Sequence, residues 1–330
     1  RQMCIRDRKN AESIMITLFK KRTFSDLLSD SFTFFKLEGK HFFKNYFIVN
    51  GIFLLLLIVL SYFLFQVYFE ALTSGMAANG NSGYNFAEKL FNNNFGLIVG
   101  GAIFFGVLML FITLLNFAYP VIYLKLYEKN NGNNFQISDI VKELKSKIGK
   151  MFLFFLISLV TVLPLIVILF LVLILLSFII IGIPLLIISF PLLFSLMSLS
   201  LYEYINNDKG FFSSIKKAFE YIFKEFWAIV GSTLIMYIII QTVMTIISMI
   251  PYFIGMISIF STIEENPNSQ ETFSALGILM IVIFIISILS NYILHNLLMI
   301  NQGMIYYSIR EKIEHKTSFT DIDSIGTHFE

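Results

Sequence analysis

The stretch MFLFFLISLVTVLPLIVILFLVLILLSFIIIGIPLLIISFPLLFSLMSLS, residues 151–200, decides the fold class of this chain. It holds fifty residues without one Asp, Glu, Lys, Arg or His. A bilayer-crossing helix needs about 20 apolar residues, so this stretch accommodates two crossings, joined by a short turn around residues 182–184. Charged residues make up only 14% of the chain, against about 25% in soluble domains. The sequence therefore predicts an all-α polytopic membrane protein.

On either side of this stretch, the rest of the chain contains four more apolar segments that are long enough to cross a bilayer. The six predicted spans are residues 46–69, 95–124, 151–178, 184–204, 228–254 and 276–305. They lie in a predicted membrane domain of residues 15–310, followed by a polar cytoplasmic tail of residues 311–330. Residues 1–14 include RQMCIRDR, which has no apolar core and does not begin with Met. We expect them to be a non-native or disordered extension and Met15 to be the native start.

The basic residues are distributed asymmetrically about the spans. Of the 24 Lys and Arg residues, only Lys89 falls in a loop that alternation places outside. Loops rich in Lys and Arg stay in the cytoplasm, so the pattern predicts both termini on the cytoplasmic side. The abundance of Phe, Ile, Asn and Lys indicates an AT-rich genome. We expect the inner membrane of a Gram-negative bacterium of low genomic GC content.

Charged segments with helical periodicity precede the odd-numbered spans. Residues 138–152 and 213–227 each carry an apolar face and a lysine-rich face, and residues 24–43 resemble them. Such helices lie in the membrane interface with lysines toward the headgroups. The residues predicted to contact lipid are Lys142, Lys145, Lys147, Lys216, Lys217, Phe219, Phe223 and Trp227. The predicted partners are membrane lipids, with anionic lipids as one alternative, and nucleic acid is not among them.

The order of segments indicates a threefold repeat. Each unit would consist of an interfacial helix, a span, an outer connection and a second span. The even spans end in tyrosine before a polar break, at Tyr127-Glu128, Tyr202-Glu203 and Tyr306-Tyr307. The alternative is that any amphipathic helix before a span shows this pattern.

Motifs that would carry chemistry are absent from the sequence. There is no His-Glu-x-x-His, no Gly-x-Ser-x-Gly, no phosphate-binding glycine-rich loop and no clustered carboxylates. We therefore predict no catalytic, cofactor-binding or metal-binding residues and no enzymatic activity. The interiors of the spans also lack Asp, Glu, Lys and Arg, which argues against an ion-coupled pump because such pumps place ionisable groups within the membrane.

Neutral polar residues recur at helical spacing on the last two spans. The candidate stripe contains Tyr237, Gln241, Thr245, Ser248, Ser287, Asn291, His295 and Gln302. One interpretation is hydrogen bonding between helices, and the other is a path for a ligand. Gln241 and Asn291 lie near the midplane, where an isolated amide would cost several kcal/mol. We therefore expect them to face each other or to share a polar pocket with His295.

The six spans, the cytoplasmic termini and the amphipathic helices before the odd spans resemble the membrane domain of the glycerophosphoryl diester phosphodiesterase family. The resemblance covers about residues 20–310 and includes the Ser-Asp openings of the helices at Ser25-Asp26 and Ser138-Asp139. It implies a six-span helical fold. The family's catalytic domain is absent from this sequence, so the resemblance implies no phosphodiesterase activity.

We expect a non-enzymatic role in membrane organisation, envelope homeostasis or complex assembly. The main alternative is a transporter or channel with a neutral polar path between the fifth and sixth spans. A membrane enzyme is the third possibility.

Overall fold

The computed structural model describes residues 15–77, 95–265 and 270–315 of the chain, and these residues are almost entirely helical. Seven helices are present in this described part, and we number them in chain order. They are α1 Phe24–Ala77, α2 Phe95–Lys129, α3 Ile137–Ser177, α4 Gly182–Asn206, α5 Phe211–Lys224, α6 Phe226–Glu265 and α7 Gln270–Glu314. The predicted extension at residues 1–14 and most of the predicted tail, residues 316–330, lie outside the described residues.

The predicted all-helical membrane fold is confirmed. Six helices are long and apolar enough to cross a bilayer, and α5 is the exception among the seven described. The turn between α3 and α4 is formed by residues 178–181, slightly before the predicted position, and Gly182 already begins α4. Ile180 has a φ of 68° in this turn, a left-handed conformation that is unusual for a β-branched residue. The turn is exposed and wholly apolar, with Phe178 at 85%.

The three amphipathic segments differ in how they join the spans. Residues 24–43 belong to the unbroken helix α1, and residues 138–152 belong to the unbroken helix α3. A continuous helix curves only gently, so these two segments extend their spans and do not form separate helices along the surface. The third segment forms the separate helix α5, which ends at Glu225 where the backbone leaves helical geometry. Of the three segments, only this one therefore forms a separate helix in the described residues, and its position at the membrane interface stays a prediction.

The chain divides into two compact units, and the helices α1, α2, α6 and α7 contribute to both. Unit 1 comprises Arg1–Phe47, Phe117–Tyr237 and Asn296–Glu330. Unit 2 comprises Ile48–Asn116 and Ile238–His295.

The core of unit 1 is built around the last third of α7. Every residue from Leu298 to Glu311 is buried. Gly303 allows α4 to approach closely, because a side-chain Cβ at this position would lie 2.7 Å from the hydroxyl oxygen of Tyr202. The Tyr202 hydroxyl in turn donates a hydrogen bond of 2.8 Å to the carbonyl oxygen of Met299. A second layer of unit 1 consists of aromatic rings that α1 and α2 bury against each other, at Phe34, Phe42, Tyr119, Tyr123 and Tyr127.

Candidate functional site

The end of α4 places a buried carboxylate in unit 1. Glu203 is fully buried, and its Oε1 forms an ion pair of 2.8 Å with Lys209. Its Oε2 accepts hydrogen bonds from Asn207 at 2.8 Å, Tyr221 at 3.1 Å and Tyr306 at 3.2 Å. A buried charge is tolerated only when it is paired and hydrogen-bonded. Glu203 therefore ties the ends of α4 and α7 to α5.

Helix α5 is held against the protein by one face. Phe211, Ser214, Ala218, Tyr221 and Ile222 are all buried, and their spacing of three or four residues places them on one side of the helix. Burial is the main cause that raises the pKa of Tyr221, so its hydroxyl keeps the proton that it donates to Glu203. The rotation of α5 about its own axis is thus set by contacts with the rest of unit 1.

The other face of α5 carries an exposed aromatic stripe. Phe212, Phe219 and Phe223 are exposed on α5, and Trp227, two residues after the break at Glu225, is 74% uncovered at the start of α6. We refer to these four rings together as the aromatic stripe. Within the described residues, the predicted lipid-contacting side chains of Phe223 and Trp227 are therefore largely uncovered, and that of Phe219 is 41% exposed. Of the two predicted lysines on this helix, Lys216 is exposed and Lys217 forms an ion pair of 2.9 Å with Glu220.

The predicted lysines of α3 divide into two groups. Lys142 and Lys145 are exposed. Lys147 instead forms an ion pair of 2.6 Å with Asp208, which also binds Lys150 at 2.5 Å. The hydrogen bonds from Lys147 and Lys150 lower the pKa of Asp208 to about 2. Two lysines of α3 are thus directed to the α4–α5 loop.

Part of the predicted polar stripe forms hydrogen bonds between helices of unit 1. Gln302 is buried, and its amide donates to the hydroxyl of Thr233 at 2.8 Å. The Thr233 hydroxyl also lies 2.9 Å from that of Ser195. Helices α4, α6 and α7 meet at these three residues, and Gln302 links α7 to α6. The rings of Tyr237 and Phe190 contact each other at a tilted angle of 49°, with centroids 4.5 Å apart.

In unit 2, three stripe residues of α6, Gln241, Thr245 and Ser248, line one open groove. The groove has a volume of about 380 Å³ and is lined by Gln241, Met244, Thr245, Ser248, Met249, Tyr252 and Ile283. The Thr245 hydroxyl donates to the carbonyl oxygen of Gln241 at 2.8 Å. The hydroxyls of Ser248 and Ser287 are 3.3 Å apart. The hydroxyls of Thr245 and Ser248 thus already have partners within the protein, as expected of polar groups that join or stabilise helices.

Asn291 and His295 take other positions in unit 2. Asn291 is exposed, while the ring of His295 lies 3.3 Å from the amide nitrogen of Asn116. The expected pairing of Gln241 with Asn291 stays a prediction.

Sequence reasoning missed the buried charges of unit 1. Glu38, Glu203, Arg22, Arg310 and Glu311 are all buried. Glu38 accepts hydrogen bonds from Tyr127 at 3.0 Å and from Asn133 at 2.7 Å. A signal was available in Tyr202-Glu203, because a carboxylate beside the tyrosine that ends a span is well placed to accept hydrogen bonds from neighbouring tyrosines.

In the described part of the chain, no group of three His, Cys, Asp or Glu residues is arranged to hold a metal ion. No family model, curated protein or solved structure matches this chain. The resemblance to the membrane domain of the glycerophosphoryl diester phosphodiesterase family stays a prediction.

Proposed function

We propose that this integral membrane protein organises the cytoplasmic leaflet of a bacterial inner membrane and catalyses no reaction. The observation that supports the proposal is the exposed aromatic stripe of α5, Phe212, Phe219, Phe223 and Trp227. Its opposite face is fixed to the protein through Tyr221 and Glu203.

The physical reason is the favourable free energy of transferring these rings from water into lipid. Full burial of a Phe-sized side chain contributes about 1.5–3 kcal/mol, so four rings that are 41–75% exposed favour insertion between lipids by several kcal/mol. A helix with such a stripe and lysines beside it lies at the boundary of headgroups and acyl chains. Because α5 cannot rotate away without losing its buried face, the protein presents the stripe to the leaflet permanently.

The cytoplasmic assignment follows from the charge pattern. All Lys and Arg residues other than Lys89 fall in segments on the same predicted side as α5, and that side is the cytoplasm by the rule for basic loops. Both termini would lie there as well.

The proposal is tested in vesicles that contain the purified protein and a dye reporting lipid order at the interface. The wild type should change lipid order in proportion to the protein-to-lipid ratio. The double variant Phe219→Ser/Phe223→Ser should lose most of this effect. Phe152→Ser is the matched control, because Phe152 is exposed on α3 at 53% and lies outside the α5 stripe. Equal effects of the wild type and the double variant would refute the proposal.

The groove in unit 2 favours a second candidate function, passage of a polar solute. Three residues of the predicted path, Gln241, Thr245 and Ser248, line it, and its volume of about 380 Å³ matches a small ligand. Flux of small polar solutes across the same vesicles, abolished by Gln241→Leu with folding intact, would support transport over membrane organisation.

A further inference from the structure

Three lysines form a ladder on one side of α1. Lys36, Lys40 and Lys44 follow one another at intervals of four residues in an unbroken helix, so they lie along the same face. All three are exposed. Their Cα atoms rise about 6 Å per step at about 1.5 Å per residue.

Many other lysines of unit 1 are neutralised by a carboxylate. Ion pairs join Lys20 to Asp30, Lys125 to Glu143, Lys147 and Lys150 to Asp208, Lys209 to Glu203, Lys217 to Glu220 and Lys312 to Glu225. Among the described residues the three ladder lysines form no such pair. The one carboxylate between residues 31 and 47 is Glu38, which is buried and already bound by Tyr127 and Asn133.

The ladder lies directly below an apolar part of the same face. Phe47, three residues beyond Lys44, is 46% exposed. If Phe47 marks the edge of the hydrocarbon, a helix near the membrane normal places the Cα of Lys44 about 5 Å and that of Lys40 about 11 Å below it. The headgroup layer is about 5–8 Å deep on each side, and lysine side chains extend toward it along their apolar stems. Lys44 and Lys40 therefore reach lipid phosphates, and Lys36 extends the positive charge toward the water.

We propose that Lys36, Lys40 and Lys44 form a binding site for the headgroup of an anionic phospholipid of the cytoplasmic leaflet. The site deepens the proposed function, and it rests on that function for the side of the membrane on which α1 begins. It is separate from the aromatic stripe of α5, since the two lie on different helices. The phosphate would bind between Lys40 and Lys44 while its acyl chains run along the apolar face above Phe47.

The experiment measures thermal stabilisation of the full-length protein in detergent as phosphatidylglycerol is added, at low salt. Phosphatidylcholine and soluble glycerol phosphate are parallel titrations. The test variant is Lys36→Gln/Lys40→Gln/Lys44→Gln. The charge-matched control is Lys20→Gln/Lys21→Gln/Lys129→Gln, which removes three exposed lysines that lie on the same predicted side and are not among the residues predicted to contact lipid.

The wild type should be stabilised by phosphatidylglycerol and little by the other two compounds. A lysine near an anionic surface contributes about fivefold in affinity, so the test variant should bind on the order of 100-fold more weakly. The affinity of the control variant for phosphatidylglycerol should fall by no more than about fivefold. Because salt screens charges, 0.5 M salt should reduce the difference in affinity between the wild type and the test variant.

Equal losses of phosphatidylglycerol affinity in the test and control variants would overturn the proposed site, because they would show that the lipid responds only to the overall positive charge of this side. Stabilisation by glycerol phosphate as strong as that by the lipid would overturn the lipid assignment. The depth of Trp227 in the membrane, which tests the proposed function, should be unchanged in the triple lysine variant, so the two proposals fail separately.

Discussion

Removal of the Arg22 guanidinium should destabilise unit 1 far more than removal of its exposed neighbour. Arg22 is 1% exposed. Its Nε binds Asp30 at 2.8 Å, and its Nη1 and Nη2 donate to the carbonyl oxygens of Leu18 at 2.6 Å and Thr17 at 2.7 Å. Arg22→Met keeps the apolar stem but leaves the carbonyls of Leu18 and Thr17 without this donor.

The magnitude follows from these contacts. Each buried acceptor left unsatisfied costs about 1–3 kcal/mol, and breaking a buried ion pair costs about 3–5 kcal/mol. Asp30 keeps some compensation, because its side chain is 20% exposed and still pairs with Lys20 at 3.2 Å. We therefore expect Arg22→Met to lower the free energy of unfolding by about 3–5 kcal/mol in total.

Lys20→Met is the matched control, because it removes the other cation bound to the same Asp30 oxygen. The Lys20 side chain is 50% exposed, and exposed ion pairs contribute about 0–1 kcal/mol. Unfolding is followed in detergent by the fluorescence of Trp227 during denaturant titration. A loss below about 1 kcal/mol for Arg22→Met, or equal losses for both variants, would refute the assignment of Arg22 as a buried anchor.

Three further predictions concern other parts of the molecule. Asp208→Asn should lower thermal stability above about pH 4, and the difference from the wild type should vanish as the pH falls toward 2, because the carboxylate pKa is about 2 in the fold and 3.8 ordinarily; a difference that persists at pH 2 would contradict this. Gln302→Leu should lower the melting temperature without changing lipid order or solute flux, because it leaves buried Thr233 without its amide donor; lost flux with unchanged stability would show a path instead. In intact spheroplasts that express the protein without Cys4, a cysteine replacing Asn207 should not react with an impermeant maleimide, while one replacing Asn79, outside the described residues, should react. The reverse labelling would contradict the predicted topology.

The spans were predictable because the bilayer imposes a length of about 20 apolar residues that composition displays directly. The junctions were less predictable. A change from polar to apolar residues looks the same whether the helix breaks there, as at Glu225, or continues, as in α1 and α3. The difference depends on tertiary contacts such as that of Tyr221 with Glu203.

The polar stripes show a second limit. Helical periodicity predicts which side chains share a face, and Gln241, Thr245 and Ser248 do line one groove. It does not identify the neighbouring helix, so the bond of Gln302 to Thr233 and that of His295 to Asn116 could not be derived. The buried Glu203 was also missed, since a charge at the end of a span ordinarily indicates the water interface.

The depth of Trp227 in the membrane tests the central claim most directly. Trp227 is the single tryptophan of the chain, so its fluorescence reports one position at the end of the aromatic stripe. The protein is placed in vesicles whose lipids carry bromine at a shallow or a deep position on the acyl chain, with Ile103→Trp in a Trp227→Phe background as a deep control. Lipids brominated near the headgroup should quench Trp227 most strongly, and aqueous iodide should quench it weakly. Strong iodide quenching without quenching by any brominated lipid would place the stripe in water and contradict the proposed insertion of α5 into the leaflet.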